Sequence, residues 1–227
     1  MNQLLEAFAW ISEPSNWTGP SGILARSGEH LGYTLLTLLI AAAIAVPIGW
    51  WVGHTGRGRG LTVALSGAAR ALPTLGLVTL MGLLLGIGLI APLTAFVVLA
   101  IPSVLAGAYA GFEAIDRGVV NAARAQGFTE SQILWRIEAP LGLPLLIGGL
   151  RSAALQVVAT ATLAAYVGAG GLGRYLFLGL KTQDYAMMLG SSLIVVALAI
   201  LLELAFSAAA WLSVPTGVKV ARRGAAA

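Results

Sequence analysis

The chain has 227 residues, of which 58% are hydrophobic and only 10% charged, with a mean hydropathy of +0.89. Soluble domains carry about 25% charged residues, so a water-facing surface is excluded and the natural solvent is a bilayer. The absence of cysteine excludes disulfides and thiolate chemistry, and the formal charge of +4 (pI near 9.9) has to be explained by where the basic residues fall.

Residues 1–27 carry apolar Leu4, Leu5, Phe8, Trp10 and Ile11, followed by a turn region from Pro14 to Pro20 that includes Trp17. This run is short for a membrane crossing, which leaves a sixth span as the lesser alternative. It reads as an amphipathic, extracytoplasmic segment lying at the interface and anchored by tryptophan. With Glu6 and Glu13 and no basic n-region, it does not read as a cleaved signal peptide.

Residues 30–56 contain no Lys, Arg, Asp or Glu, which predicts a first span at about 31–53, long enough for a ~30 Å hydrocarbon core. Gly56-Arg57-Gly58-Arg59-Gly60 then reads as a short turn bearing topogenic charge. Residues 71–112 are again uncharged and amount to about two crossings. The Gly86-Ile87-Gly88 to Pro92 stretch supplies the break, giving spans at 72–90 and 92–112. A fourth span is expected at 145–166 and a fifth at 186–211. The transmembrane domain thus covers 28–213, and 214–227 forms a cytoplasmic tail. Pro47, Pro73, Pro92 and Pro102 are expected to bend or start helices.

With five spans and the 113–140 loop placed in the cytoplasm, the amino end lies outside and the carboxyl end inside. Arg57, Arg59, Arg70, Arg117, Arg124, Arg136, Arg151, Lys219, Arg222 and Arg223 then lie inside, and Arg26, Arg174 and Lys181 outside. This agrees with the positive-inside rule. The basic excess is topology, and no nucleic-acid partner is expected.

The 113–140 loop is far longer than a simple reversal needs. Asp116 suits a helix start and Gly127 its left-handed end, while Thr129 or Ser131 suits the start of a second short helix. Ile133, Leu134 and Ile137 share one face of that helix, and Pro140 and Pro144 set the entry of the next span. Two short helices meeting at a glycine make a compact knob. Ala122 and Ala123 are small enough to lie deep in a partner's groove, and exposed Phe128 and Trp135 would be apolar anchors.

The pattern Asn121-Ala122-Ala123, three residues, Gly127, nine residues, Ile137, two residues, Pro140 resembles the EAA motif of ABC importer permeases. Two positions depart from it: Asn121 replaces the acid and Ala139 replaces the leucine. The segment Val167-Gly168-Ala169-Gly170-Gly171-Leu172-Gly173 resembles the loop after the fourth span in the smaller permeases of this superfamily. Trp17 to Gly22, Glu29-His30, Gly53-His54-Thr55-Gly56 and Ala71-Leu72-Pro73-Thr74 extend the likeness to the osmoprotectant permeases, whose solutes are glycine betaine, carnitine, choline and proline betaine.

The resemblance implies an all-α integral membrane fold, a five-helix type I importer bundle like that of methionine permeases, in a prokaryotic plasma (inner) membrane. It implies coupling to a cytoplasmic ATPase through Asn121, Ala122, Ala123, Gly127, Phe128, Trp135, Ile137 and Pro140. It also implies a second, identical or homologous permease and an extracytoplasmic solute-binding protein. No cofactor is expected in this chain, since ATP is used by the partner and no Gly-Lys-Ser/Thr follows the glycines. Another solute, such as methionine, is the alternative within the same superfamily; a non-transport membrane subunit or intramembrane enzyme is the alternative outside it.

Gly168, Gly170, Gly171 and Gly173 read either as a flexible extracytoplasmic gate or binding-protein contact, or as a turn between spans. Glu203 falls near the cytoplasmic edge of the last span, where it can pair with a basic group. Gln156, Thr160 and Thr162 suit hydrogen bonds between helices. His30 and His54 fall at opposite faces, so no shared metal site is expected, and no catalytic set emerges. The substrate-binding residues are not assignable from sequence.

Overall fold

The structure, a computed structural model, describes residues 2–215, without the side chains of Leu65, Ala69 and Arg70. Lys219, Arg222, Arg223 and nearly all of the expected tail therefore lie outside the described residues. Every regular element among those described is helical.

The helices in chain order are α1 (Asn2–Ser12), α2 (Ile23–Thr55), α3 (Arg59–Arg70), α4 (Thr74–Leu85), α5 (Ile90–Glu113), α6 (Arg117–Ala125), α7 (Glu130–Ile133), α8 (Ala139–Thr160), α9 (Gly173–Thr182) and α10 (Tyr185–Ser213). A single 3-10 turn at Pro14–Trp17 follows α1. A π turn at Leu134–Glu138 joins α7 to α8, and a 3-10 stretch at Ala161–Val167 continues α8. Among the described residues, four segments are long and apolar enough to cross a membrane: Ile23–Thr55, Ile90–Glu113, Glu130–Val167 and Tyr185–Ser213.

Several bounds differ from the sequence expectation. The first long helix starts at Ile23, eight residues ahead of 31, so Glu29 and His30 are helical. The expected span 72–90 becomes α4, which is 12 residues long, or about 18 Å at 1.5 Å per residue. Gly86 and Gly88 end it with positive φ values of 89° and 133°, which is why it stops short. The turn at Gly56 and Gly58 gives way at once to an unforeseen helix, α3. Pro47, Pro102 and Pro144 lie inside helices, whereas Pro73 caps the start of α4.

The chain divides into two compact units. One comprises Met1–Ile40, Ala71–Ala100 and Ala154–Leu202; the other comprises Ala41–Arg70, Ile101–Ala153 and Glu203–Ala227. In the first, α1 is held by its tryptophans: Trp10 packs on Gly190 and lies edge-on to Tyr175 with ring centroids 5.2 Å apart. The Trp17 indole donates to the Ile11 carbonyl at 2.6 Å. The tryptophan expected to anchor a membrane surface is therefore tied into the chain, while Leu4, Leu5 and Phe8 are exposed.

In the second unit α5 is flanked by close helix contacts. A Cβ on Gly49 or Gly53 of α2 would lie 2.6 Å from the Cβ of Ala108 or Phe112 of α5. A Cβ on Gly107 of α5 would lie 2.7 Å from the Cα of Gly149 of α8. Small residues at four-residue spacing let helix backbones approach closely where the surrounding solvent offers no hydrophobic drive. Gly49/Gly53 and Gly107/Gly111 are two such pairs.

Candidate functional site

The 113–140 segment folds as a knob of two short helices. Asp116 starts α6 by accepting the Gly118 N–H at 2.8 Å. At the other end Gly127 takes φ +86°. Its N–H donates to the Arg124 carbonyl at 3.0 Å, and the Phe128 N–H donates to the Ala123 carbonyl at 3.1 Å. This pair of bonds is a Schellman cap, which requires a left-handed residue at the glycine position. Thr129 and Gln132 then close a capping box on α7, at 3.3 Å and 2.9 Å. Both helix ends foreseen at Asp116 and Gly127 are present, and Thr129 rather than Ser131 caps the second helix.

A small core holds the two helices together. Ile115, Val120, Ala123 and Ile133 are buried, with Phe128, Ile137 and Leu141 packed against them. Two sequence expectations change here. Ala123 faces the knob's own core, so of the two alanines Ala122 alone is exposed and offers a small outward surface. Phe128 is half-buried against that core because the Schellman cap turns it inward, so it is not a free anchor. Trp135 is 60% exposed, yet its ring stands edge-on to Trp50 with centroids 5.5 Å apart. Asn121, Gly127 and Pro140 are exposed.

Asn121, which stands where the motif has an acid, lies 3.4 Å from the Arg124 guanidinium. Arg124 bonds chiefly to Glu130, at 2.8 Å and 3.0 Å, and that hydrogen-bonded carboxylate holds its pKa above the ordinary arginine value. Glu130 thus supplies the acid that ties α6 to α7.

A cluster that sequence reasoning missed sits at the base of the knob. His54, in the last turn of α2, has Nδ1 on the Glu138 carboxylate and Nε2 3.3 Å from the Glu130 carboxylate. Glu138 is 1% exposed, and a carboxylate taken out of water needs such a partner. The 84 residues separating His54 from Glu138 hid this pair; the one available signal was a lone acid next to the proline-marked start of a span.

The glycine-rich segment is clamped. Glu29, itself paired with Arg26 at 2.8 Å, accepts the Gly171 N–H at 2.7 Å. The Gly170 N–H donates to the Tyr33 hydroxyl at 3.2 Å. Arg174 donates to the carbonyls of Ala169 (3.0 Å) and Gly168 (3.1 Å). The Tyr175 hydroxyl, its pKa raised by burial, donates to the Ser21 carbonyl. Gly170, Gly171 and Gly173 are buried, and only Gly168 is exposed. A Cβ at Gly170 would run into Glu29, and one at Gly173 into the Thr162 carbonyl. These glycines serve close backbone packing, and a loose flap is not what the geometry builds.

A family model described as the binding-protein-dependent transport system inner membrane component matches residues 45–215, which include the whole knob. The chain belongs to this family. Among its relatives is the carnitine transport permease protein OpuCB of Listeria monocytogenes, 27% identical over 202 residues, covering 89% of this chain and 93% of that protein. The osmoprotectant import permease protein OsmW of Salmonella typhimurium is 30% identical over 183 residues, covering 77% and 84%. A chain of the MetNI methionine ABC transporter, solved in inward-facing conformations, matches with a TM-score of 0.75 at 23% identity, covering 90% of this chain and all of that one. The fold is that of a type I ABC importer permease.

In this permease the acid noted within the last span is paired: the Nε and Nη2 of Arg151 on α8, one edge of the guanidinium, donate to the two carboxylate oxygens of Glu203 on α10. Thr160 and Thr162 differ from expectation. Their hydroxyls donate to carbonyls of their own segment, Gln156 and Ala159, each at 2.9 Å, so neither reaches a neighbouring helix.

Proposed function

We propose that this permease subunit imports osmoprotectants of the glycine betaine, carnitine and choline type, driven by a separate cytoplasmic ATPase that grips the 113–140 knob. The observation that carries the coupling role is the knob itself: a self-contained unit with both helices capped, its own core, and Asn121, Ala122 and Trp135 on its outer surface. The solute class is supported by the names of the osmoprotectant relatives that align over most of the chain.

The topology we propose has five spans, with α4 as a short second one, the amino end outside and the knob inside. Arg57, Arg59, Arg117, Arg124, Arg136 and Arg151 all fall in the unit that holds the knob, whereas Arg26, Arg174 and Lys181 fall in the other. The larger number of basic residues assigned to the knob's side of this topology supports a positive-inside arrangement. Two permeases, identical or homologous, would enclose the path, and an extracytoplasmic binding protein would deliver the solute. ATP binding closes the ATPases, the knobs move with them and the path opens outward; hydrolysis reverses the movement. This chain supplies the path and the docking surface, and ATP stays on the partner.

The test is Ala122→Trp, which puts bulk on the outer face without touching the knob's core. Membrane insertion is expected to persist while ATPase capture and uptake of labelled glycine betaine or carnitine are lost. Unchanged uptake overturns the docking role. Uptake of methionine instead of these solutes overturns the solute class.

A further inference from the structure

The last turn of α2 is joined to the knob by two separate sets of contacts. In the first, Arg124, Glu130, His54 and Glu138 form a continuous chain of polar contacts: Arg124 to Glu130 at 2.8 Å, Glu130 to His54 Nε2 at 3.3 Å, and His54 Nδ1 to Glu138. It passes from α6 through α7 to α2 and returns to the π turn that begins α8. In the second, Trp50, one turn before His54, stacks on Phe112 at the end of α5 (5.6 Å between centroids, 15° between planes) and meets Trp135 edge-on. Gly53 lies between these residues, and a Cβ there would overlap Phe112.

We infer that His54 is a positioning residue that locks the knob to the end of α2, so that knob and helix end move as one body during transport. The physical reason lies in the burial of Glu138. Its carboxyl group sits 1% exposed against a ring that is itself only 16% exposed, and separating the two would leave a desolvated polar group without its partner. The second contact, between flat aromatic rings, adds apolar area along the same boundary. Displacement of the knob is therefore passed directly to α2, in addition to its covalent route through α5 and α8.

This inference rests on the docking role proposed above. The chain has no cysteine, so paired cysteines can be placed without background. His54→Cys/Glu130→Cys, joined by a short bifunctional thiol reagent in the reconstituted importer, is expected to regain on linking the solute moved per ATP hydrolysed that the unlinked pair loses. Loss of uptake on linking, with ATPase capture intact, overturns the inference, because it would mean the two elements must part. In parallel, His54→Ala is expected to lower solute moved per ATP hydrolysed by about tenfold while the ATPase remains bound. His54→Gln/Glu138→Gln, which keeps a hydrogen bond without buried charge, should recover most of that ratio. An unchanged ratio in His54→Ala also overturns it. Failure of the unsubstituted chain to capture an ATPase is a different result: it removes the docking role and this inference with it.

Discussion

Gly107 and Gly149 bring the backbones of α5 and α8 so close that a Cβ on either would lie within 2.8 Å of the other's Cα. One turn along α5, a Cβ on Gly111 would lie 2.6 Å from the Gly142 carbonyl oxygen. Neither contact leaves room for any other residue type.

Gly149→Leu is therefore expected to destabilise the folded permease by about 1–3 kcal/mol, the usual range for overpacking. Gly148→Leu, one residue away with nothing within 4 Å of its Cβ position, serves as the control. Thermal aggregation in detergent should separate the two, and equal behaviour would contradict the close crossing.

Arg151→Ala leaves Glu203 without its partner on an apolar helix. The pair is partly exposed, at 42% and 30%, so the expected loss is about 1–2 kcal/mol, below that for a fully buried pair. Arg151→Met/Glu203→Leu should return stability to near the native level, because replacing both charges removes the orphan. A double variant no better than the single would show that the pair is not the source of the loss.

The knob's caps can be removed one at a time. Thr129→Ala opens the capping box and should cost about 1 kcal/mol. Gly127→Ala forces a Cβ into φ +86° and should cost about as much. Hydrogen exchange across 117–133 is expected to accelerate in both, with the membrane helices unchanged. Exchange spreading into α5 and α8 would instead mean that the knob is not an independent unit.

Glu29→Ala removes the acceptor of the Gly171 N–H and the partner of Arg26. Faster exchange confined to 168–174 is expected. Native exchange there would show that the remaining bonds from Tyr33 and Arg174 suffice to hold the segment.

Orientation is checked by Gln126→Cys, an exposed position at the knob's tip. A membrane-impermeant thiol reagent should label it in inverted vesicles and not in intact cells. Labelling from outside reverses the proposed topology.

Much of this was legible in the sequence because local chemistry decided it. Asp116, Gly127 and Thr129 name helix ends by their own backbone preferences, and no tertiary contact is needed to read them. The long apolar stretches likewise marked α5 and α10 to within two residues at each end, since hydrocarbon admits few charged residues. The inward turn of Phe128 was hidden because a cap residue's direction depends on what it packs against. The shortness of α4 was hidden because the uncharged run continues past the glycines that end it.

Sequence alone determined the solvent of this protein, the family to which it belongs and the existence of a capped knob between two long apolar helices. Those features follow from composition and from spacings within a few residues. Only the tertiary structure decided that His54 meets Glu138, that Arg151 meets Glu203 and that the Gly168–Gly173 backbone is clamped by Glu29 and Tyr33. Each of those contacts joins residues more than fifty positions apart. Pairing over that distance is set by how whole helices pack, which no local propensity encodes.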